Sequence, residues 1–254
     1  MWRIIKTGFI VVLALFTLFV LYEVLTFPRV SDLRDKNPET TSMIETRLKE
    51  AREDGREARR VQQWVPLSRI SPNLQRAVLA GEDTNFVTHH GFDYEAIERA
   101  WDDGSKVSEK EAKDEGDNDP SDWIPDLSKF KRGGSTISQQ LAKNLYLSSE
   151  RTAARKVKEA AITYFLERSL SKCRILEIYL NVIEWGDGVY GAEAAAQVYF
   201  HKPAAALSDK EAAFLSAMIP SPLNIFNPQK NLRRVQRRQR VILRGMNYVK
   251  IPAC

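Results

Sequence analysis

The sequence predicts an all-α domain behind a single N-terminal transmembrane helix. Three observations support this fold class: apolar residues recur at helical spacing through most of the chain, alternating strand patterns are scarce, and one long uncharged run lies near the N-terminus. The chain has 254 residues, 43% of them hydrophobic and 28% charged, which suits one or two compact cores and excludes a mostly disordered protein.

The uncharged run extends from Thr7 to Tyr22. About twenty helical residues at ~1.5 Å each span the roughly 30 Å hydrocarbon core of a bilayer. Because Arg3 and Lys6 precede the run, we expect residues 1–29 to form a cytoplasmic tip and anchor, with everything after them outside. A cleaved signal peptide has the same pattern, but no small-x-small cleavage site follows, so we favour a retained anchor.

Residues 30–63 are rich in charge and predict a helical stalk. Ser42 and Glu45 have the spacing of a capping box, which marks the start of a helix. One apolar stripe follows at helical spacing, formed by Ile44, Leu48, Ala51 and Ala58.

We expect residues 64–230 to form the main domain and residues 231–254 a basic C-terminal helix. Ser71 and Pro72 are typical of a helix start, and that helix ends near Gly81. Helical periodicity resumes over 136–147, 149–170, 171–182 and 192–200, and again after a second capping box at Ser208 and Glu211. Residues 102–126 are acidic and loop-like and predict an insertion.

The formal net charge of +5 indicates an anionic partner, whether phospholipid, nucleic acid or a phosphorylated substrate. Two cysteines cannot build a disulfide framework or a four-cysteine zinc site, and the three histidines lack metal-ligand spacing. Cys173 lies within a predicted helix and Cys254 at the terminus, so we expect them to remain unpaired.

The first chemical motif follows the helix that ends near Gly81. Glu82 and Asp83 are followed by Phe86, His89, Gly91 and Asp93. A carboxylate just past a helix C-terminus feels the negative end of the macrodipole, which raises its pKa toward the range of a general base. Taken alone, such a pair is more often a solvated turn, and His89 more often a hydrogen-bonded core residue.

The second motif is Gly133-Gly134-Ser135-Thr136 at the start of a helix. Free backbone N–H groups and two hydroxyls at a helix N-terminus suit a phosphate or another anion. Gln140 and Lys143 lie three residues apart on that helix and point in one direction. An ordinary flexible helix entry is the alternative.

The third motif places Arg151, Arg155 and Lys158 on one helical face, with Glu159 at its edge. A cationic stripe is usually solvated surface. This one directly follows the glycine-rich helix, so both motifs can converge on a single pyrophosphate.

Five ordered blocks then carry a resemblance to a known family. The motif around Glu82 is followed by GGSTISQQLAKNLYL, RKVKE, KCRILEIYLNVIEWGDGVYGAEAAAQVYF and IPSPLNIFNP. In this order they resemble the motifs of the peptidoglycan glycosyltransferases, the module shared with class A penicillin-binding proteins, over residues 65–228. The length and the anchor resemble the monofunctional members. The chain departs from the family at Gly81, where alanine is frequent, and at Ser138, where threonine is commoner.

The resemblance implies a lysozyme-like domain that polymerises lipid II into β-1,4 glycan strands, with inversion at the donor carbon and release of undecaprenyl pyrophosphate. It implies that Glu82 is the general base and Glu159 the second catalytic carboxylate. It further implies substrate binding by a larger set of residues, namely Asp83, Phe86, Ser135, Thr136, Gln140, Lys143, Asn144, Arg151, Arg155 and Lys158. Cationic groups would stabilise the charge that develops on the leaving pyrophosphate.

The remaining expectations concern partners and location. No cofactor or protein metal site is expected, and a divalent cation (Mg or Mn) is expected at most to stimulate the reaction. Expected partners are lipid II, the growing glycan strand, membrane phospholipid and other cell-wall or division proteins, but no nucleic acid. Arginines at 233, 234, 237, 238 and 240 are candidates for binding anionic headgroups. The expected location is the bacterial inner membrane, with the catalytic domain periplasmic.

Three other functions are alternatives to a glycosyltransferase. A transpeptidase domain is not expected, because an S-D-N motif is absent and the only K-T-G, at Lys6, lies at the start of the predicted span. A muramidase would also use glutamates, but it has no need to hold a pyrophosphate. A non-catalytic membrane scaffold is the alternative from another class.

Overall fold

The structure is a computed structural model of the chain and describes residues 2–96, 98, 135–147 and 152–254. The predicted acidic insertion at 102–126, Gly133, Gly134 and Arg151 lie outside the described residues. In the described part, the prediction of a mainly helical protein is confirmed.

The described residues form a series of α-helices joined by short connections. The helices are α1 Trp2–Leu25, α2 Ser42–Glu53, α3 Pro72–Glu82, α4 Ile137–Tyr146, α5 Ala153–Ser169, α6 Lys172–Val182, α7 Ala192–Phe200, α8 Asp209–Met218 and α9 Pro228–Gly245. Short 3-10 turns lie at Val30–Arg34, Leu67–Arg69 and Ala204–Ala206.

Side-chain caps fix where several helices begin. Ser71 caps α3 with Pro72 in the first turn, as predicted, and Thr136 forms a capping box with Gln139 at the start of α4. The predicted capping box at Ser208 and Glu211 is confirmed for α8. In α2 the cap is one residue earlier than predicted, because Thr41 rather than Ser42 accepts the N–H of Ile44.

The structure contains a small sheet that was not predicted from the sequence. It consists of β1 Val61–Gln62, β2 Glu184–Gly186 and β3 Val189–Tyr190, in the order β1-β3-β2. Strand β1 is parallel to β3, with Val61 opposite Val189, and β2 is antiparallel to β3. Strands of two or three residues are too short to show the alternation by which strands are recognised in a sequence.

The core forms where the helices that carry the site pack together. Helix α3 packs against α8 and α9, while α4 packs against α2, α5 and α6. The largest fully buried side chains include Trp185, Tyr179, Tyr190 and Phe86. Burial of such aromatic side chains contributes about 1.5–3 kcal/mol each.

The segment expected to form a stalk, residues 30–63, packs on the domain along much of its length. Ile44 of α2 is fully buried, and Ala51 nearly so. Arg47 of the same helix donates to Glu184 of β2 across 3.0 Å. The part of the predicted stripe that lies on α2 therefore docks this helix on the domain, whereas Ala58 lies beyond the end of the helix.

The prediction that the two cysteines stay unpaired is wrong. Cys173 and Cys254 form a disulfide, with their Cα atoms 5.9 Å apart. After α9 the chain turns back, burying Met246 and Val249, and this return brings the C-terminus to the first turn of α6. The 81-residue separation hid this contact, because it depends on the packing of α9.

The predicted transmembrane anchor is not confirmed. In the part of the chain that the structure describes, no helix meets the combined length and hydropathy required of a membrane span.

Candidate active site

Glu82 is the last residue of α3, and its carboxylate is held by two other helices. Gln140 Nε2 of α4 donates to Oε2 across 3.0 Å, and Arg238 Nη2 of α9 donates to Oε1 across 2.8 Å. The side chain is only 9% exposed. Both carboxylate oxygens are therefore fixed in a largely dry environment.

Burial raises the pKa of the Glu82 carboxyl above its ordinary value. The charges of Arg238 and Lys143 and the hydrogen bond from Gln140 oppose this rise without cancelling it. From the sequence, the helix macrodipole is expected to raise the pKa of Glu82. In the structure the main cause of the rise is the loss of solvent around the carboxyl. A carboxylate with a raised pKa is suited to accept a proton near neutral pH.

Tyr179 orients the amide of Gln140. Its hydroxyl donates to Gln140 Oε1 across 2.7 Å, which leaves the amide N–H₂ facing Glu82. Tyr179 is fully buried on α6, and burial raises the pKa of its phenol well above the ordinary value. The neutral phenol therefore donates the first of two hydrogen bonds that run from Tyr179 through Gln140 to Glu82.

Asp83 joins the first motif to the second. Its carboxylate accepts the backbone N–H of Ile137, in the first turn of α4, and the Nε2–H of His89, each across 2.9 Å. His89 Nδ1 accepts the N–H of Gly91, and this contact assigns the proton of the neutral ring to Nε2. Predicted as a substrate-binding residue, Asp83 lies buried beneath the turn.

Phe86 is also buried beneath this turn. It is 1% exposed, and the Lys172 ammonium lies 4.5 Å from the centre of its ring. Asn85 donates to Asp93 across 2.9 Å and closes the turn on the outer side. The structure therefore places Phe86 in the support of the turn.

The predicted binding residues at the N-terminus of α4 differ in exposure. Ser135 is exposed. Thr136 is 3% exposed, and its hydroxyl donates to the Gly91 carbonyl across 2.7 Å. Gly91 has φ +94°, and a Cβ there would lie 2.9 Å from Thr163 Cγ2, so a side chain is excluded. Asn144, farther along α4, is nearly buried.

Lys143 lies one turn after Gln140 on α4. Its ammonium makes no hydrogen bond or ion pair with the residues that the structure describes. Burial lowers the pKa of Lys143, while the negative charges of Glu159 and Glu82 raise it. Helix α4 contacts Glu82 through Gln140 and packs against α5, which carries Glu159, so Lys143 lies on the helix that joins the two predicted catalytic carboxylates.

Glu159 is the second buried carboxylate, only 3% exposed in the middle of α5. Arg155 Nη1 donates to Oε2 across 3.0 Å, and Lys156 Nζ donates to Oε1. Within the described residues, Arg155 Nε is buried without a hydrogen-bond partner. The carboxylate and its two cations form a compact charged cluster facing the Lys143 side of the site.

Lys158 does not join this cluster. Its ammonium pairs with Glu23 of α1 across 2.8 Å, and nearby Phe27 stacks edge-on against Phe165 of α5. The sequence predicts that Lys158 and Arg155 share one helical face and one ligand. In the structure they have different partners, Glu23 for Lys158 and Glu159 for Arg155. Arg151 lies outside the described residues.

Three residues of the site were missed. Lys156 contacts Glu159 at a spacing of three residues, a pairing that helical geometry signals directly. Arg238 was grouped with the basic C-terminal arginines as a headgroup ligand, but it binds Glu82. Tyr179 carried no signal, because its partner Gln140 is 39 residues away.

The described residues contain no group of three or more His, Cys, Asp and Glu side chains that could hold a metal ion. The expectation about divalent cations stays a prediction.

Comparison with known proteins decides the family. The family model described as Transglycosylase matches residues 48–116 and 124–247. The chain belongs to the transglycosylase family. Its recognition from sequence motifs as a peptidoglycan glycosyltransferase, and hence as an enzyme, is confirmed.

Curated relatives of this transglycosylase resemble it over nearly its whole length. A biosynthetic peptidoglycan transglycosylase of Chromobacterium violaceum is 43% identical over 244 residues, covering 96% of this chain and 98% of the relative. One of Laribacter hongkongensis is 44% identical, covering 95% and 96%. One of Azoarcus sp. is 46% identical, covering 83% and 82%. The residues matched by the family model include α3, α4, α5, α6 and α9, which carry the site.

Proposed function

We propose that this transglycosylase polymerises lipid II by a single inverting displacement. Glu82 takes the proton of the acceptor 4-hydroxyl as that oxygen attacks the donor anomeric carbon. The bond from this carbon to the pyrophosphate oxygen breaks, and the electron pair leaves with undecaprenyl pyrophosphate. Glu159 and its cations lie on the leaving-group side. One base and one cationic region satisfy the two demands of the reaction.

The observation that carries the proposal is the position of Lys143. It is a cation without a partner among the described residues, and it senses the buried carboxylates Glu82 and Glu159. A half-buried ammonium that makes no hydrogen bond or ion pair is unfavourable unless an anion binds to it. A pyrophosphate supplies such an anion, whereas the neutral glycan of a muramidase does not.

The remaining predicted residues take three kinds of role in this proposal. Gln140, Ser135 and Asn144 line or border the donor side, and Arg155 and Arg151 contribute positive charge. Asp83, Phe86 and Thr136 act through the geometry of the turn and of α4, as their burial supports. For Lys158, pairing with Glu23 favours a role in docking α1 over direct phosphate binding.

We infer a location for the domain on the outer face of the bacterial inner membrane. Its support is chemical: both substrates carry lipid chains, and a disulfide such as Cys173–Cys254 persists mainly in oxidising compartments. Large apolar side chains of α1, such as Phe9 and Leu15, are more than 60% exposed and favour contact with lipid. We include membrane phospholipid as a partner on these grounds, and cell-wall and division proteins from the family resemblance.

Two substrates test the reaction class. Purified protein is incubated with lipid II and, separately, with finished glycan. We expect polymer growth from lipid II and no shortening of finished glycan. Shortening without growth would identify a muramidase, and inertness toward both would favour a scaffold.

A charge-removing variant tests the position of Lys143. Lys143→Gln should lower the polymerisation rate by roughly 100-fold, the usual effect of removing one group that stabilises developing charge. Lys210→Gln, at an exposed lysine, is the matched control and should keep the wild-type rate. An unchanged rate in Lys143→Gln would remove the main support for pyrophosphate binding here.

A further inference from the structure

Arg238 reaches the candidate base from a helix that the sequence assigned to lipid binding. Its Nη2 donates to Glu82 Oε1 across 2.8 Å and to the Gly81 carbonyl across 2.7 Å. We propose that Arg238 is a positioning residue for the transfer reaction, which holds the Glu82 carboxylate in the orientation that accepts the acceptor proton. This inference rests on the proposed function.

The two acceptors of Arg238 belong to the end of one helix. One is a side chain and the other is a backbone carbonyl of the preceding residue, so the guanidinium ties the carboxylate to the backbone of α3. Gln140 holds the other carboxylate oxygen from α4. Glu82 is therefore restrained from two directions before any substrate binds, which is the preorganisation that a general base requires.

Close packing of α9 on α3 makes this contact possible. A Cβ on Gly81 would lie 2.7 Å from Ser216 Oγ and 3.1 Å from Ile242 Cδ1. The absence of a side chain at this position lets α8 and α9 approach α3. The departure from the alanine that is frequent in the family thus lies at the residue whose carbonyl Arg238 binds.

Arg238 points inward because of its place on α9. It lies three residues after Val235 and four before Ile242, both of which are buried against the core. Arg233, Arg237 and Arg240 of the same helix are exposed. Arg238 therefore differs from its neighbours in environment, although the sequence gives all of them as one basic run.

The contacts of the guanidinium indicate commitment to Glu82. Its carbon lies 5.6 Å from the centre of the Phe226 ring, which supports one face. Its Nε is buried without a hydrogen-bond partner among the described residues. Leaving a buried donor unpaired is unfavourable. The guanidinium is therefore held where Nη2 binds Glu82 and Gly81, even though Nε makes no hydrogen bond there.

The charges that face Glu82 predict how Arg238 affects pH dependence. Arg238 of α9 and Lys143 of α4 are the cations, and Tyr179 of α6 and the adjacent Asp83 are the other titratable groups. Burial raises the pKa of Glu82, and Arg238 is the strongest opposing influence. Without Arg238 the pKa rises further, so the pH at which the base becomes ionised moves upward.

The experiment compares polymerisation of lipid II by wild-type protein, Arg238→Gln and Arg238→Lys across acidic to alkaline pH. In Arg238→Gln we expect the acidic limb of kcat to move up by about one pH unit, which makes the variant roughly tenfold slower on that limb. The rate should level off below wild type at alkaline pH, because glutamine does not hold the Glu82 carboxylate as the guanidinium does. Arg52→Gln, at an exposed arginine of α2, is the control and should match wild type throughout.

Arg238→Lys separates charge from geometry. A lysine keeps the positive charge but lacks the planar fork, so we expect the acidic limb to stay near wild type while kcat falls and KM for lipid II is unchanged. Circular dichroism and Tm show which variants are folded. If Arg238→Gln does not fold, the fall in kcat of Arg238→Lys decides, and a wild-type kcat there would overturn the inference.

Two further outcomes would overturn it. One is an unmoved acidic limb in folded Arg238→Gln, and the other is a wild-type rate of that variant at alkaline pH. Failure of the proposed function looks different, because it requires that wild-type protein does not polymerise lipid II or that Glu82→Gln polymerises it normally.

Discussion

The Asp83 carboxylate accepts the backbone N–H of Ile137 across 2.9 Å, joining the turn after Glu82 to the first turn of α4. This bond links residues 54 positions apart. Because Glu82 directly precedes Asp83 and Gln140 follows Ile137 on α4, the same bond sets the distance between Glu82 and Gln140. The relative placement of two motifs thus depends on one buried carboxylate.

Asp83→Asn should weaken this link. An amide has one accepting oxygen and no charge, so it cannot serve both His89 Nε2–H and the helix N-terminus as the carboxylate does. We expect a loss of about 1–3 kcal/mol in the free energy of unfolding, together with a lower kcat. Chemical denaturation and lipid II polymerisation measure the two effects. Asp35→Asn, at an exposed aspartate, is the control, and equal stability of the two variants would contradict this role.

Tyr179→Phe tests the chain that ends at Glu82. Without the hydroxyl, Gln140 Oε1 loses its donor and the amide is free to rotate away from the carboxylate. One neutral hydrogen bond contributes about 1 kcal/mol, so we expect a fall of roughly fivefold in kcat. The acidic limb of the pH profile should also move upward, because the Gln140 hydrogen bond lowers the pKa of Glu82. A wild-type profile in folded Tyr179→Phe would exclude the orienting role.

Removal of the disulfide should destabilise the protein without removing activity. Cys173 and Cys254 enclose a long segment that includes α7, α8 and α9. We expect Cys254→Ser to lower the free energy of unfolding by about 2–4 kcal/mol, the usual range for such a bridge. Added reductant should reduce the stability of wild-type protein to that of the variant and leave the variant unchanged. If reductant does not change the free energy of unfolding of the wild-type protein and its cysteines react with thiol reagents, the disulfide does not form.

Glu82 should also cost stability at neutral pH. Its folded-state pKa lies above the unfolded value, so the penalty is absent at pH values below both, grows as pH rises from the unfolded-state to the folded-state pKa, and stays constant above that. Gln resembles the protonated carboxyl. Glu82→Gln should therefore be more stable than wild type at neutral and alkaline pH, and equally stable in acid. Thermal unfolding across pH measures this difference, and a variant less stable than wild type at neutral pH would contradict the sign.

Local sequence signals predicted most of the helices and the residues at the centre of the site. Ser71, Thr136 and Ser208 begin helices through contacts within three residues, which a linear pattern reveals. Glu82 lies on the helix that Ser71 begins, and Gln140 and Lys143 lie on the helix that Thr136 begins. Glu159 lies on α5, which packs against α4.

The missed features depend on contacts between distant segments. Arg238 meets Glu82 across 156 positions, and Tyr179 meets Gln140 only because α6 packs on α4. The disulfide and the ion pair between Lys158 and Glu23 also join segments that are far apart in the sequence. Residue type and spacing specify a helix face, but which face meets which partner is decided by packing of the whole domain.

The most direct test of the account is the initial rate of lipid II polymerisation by Glu82→Gln relative to wild type. The variant preserves the size of the side chain and removes only its capacity to accept a proton. We expect the rate to fall by at least about 100-fold, as for loss of a general base, while Glu57→Gln at an exposed glutamate keeps the wild-type rate. A folded Glu82→Gln variant that polymerises lipid II at the wild-type rate would contradict the account.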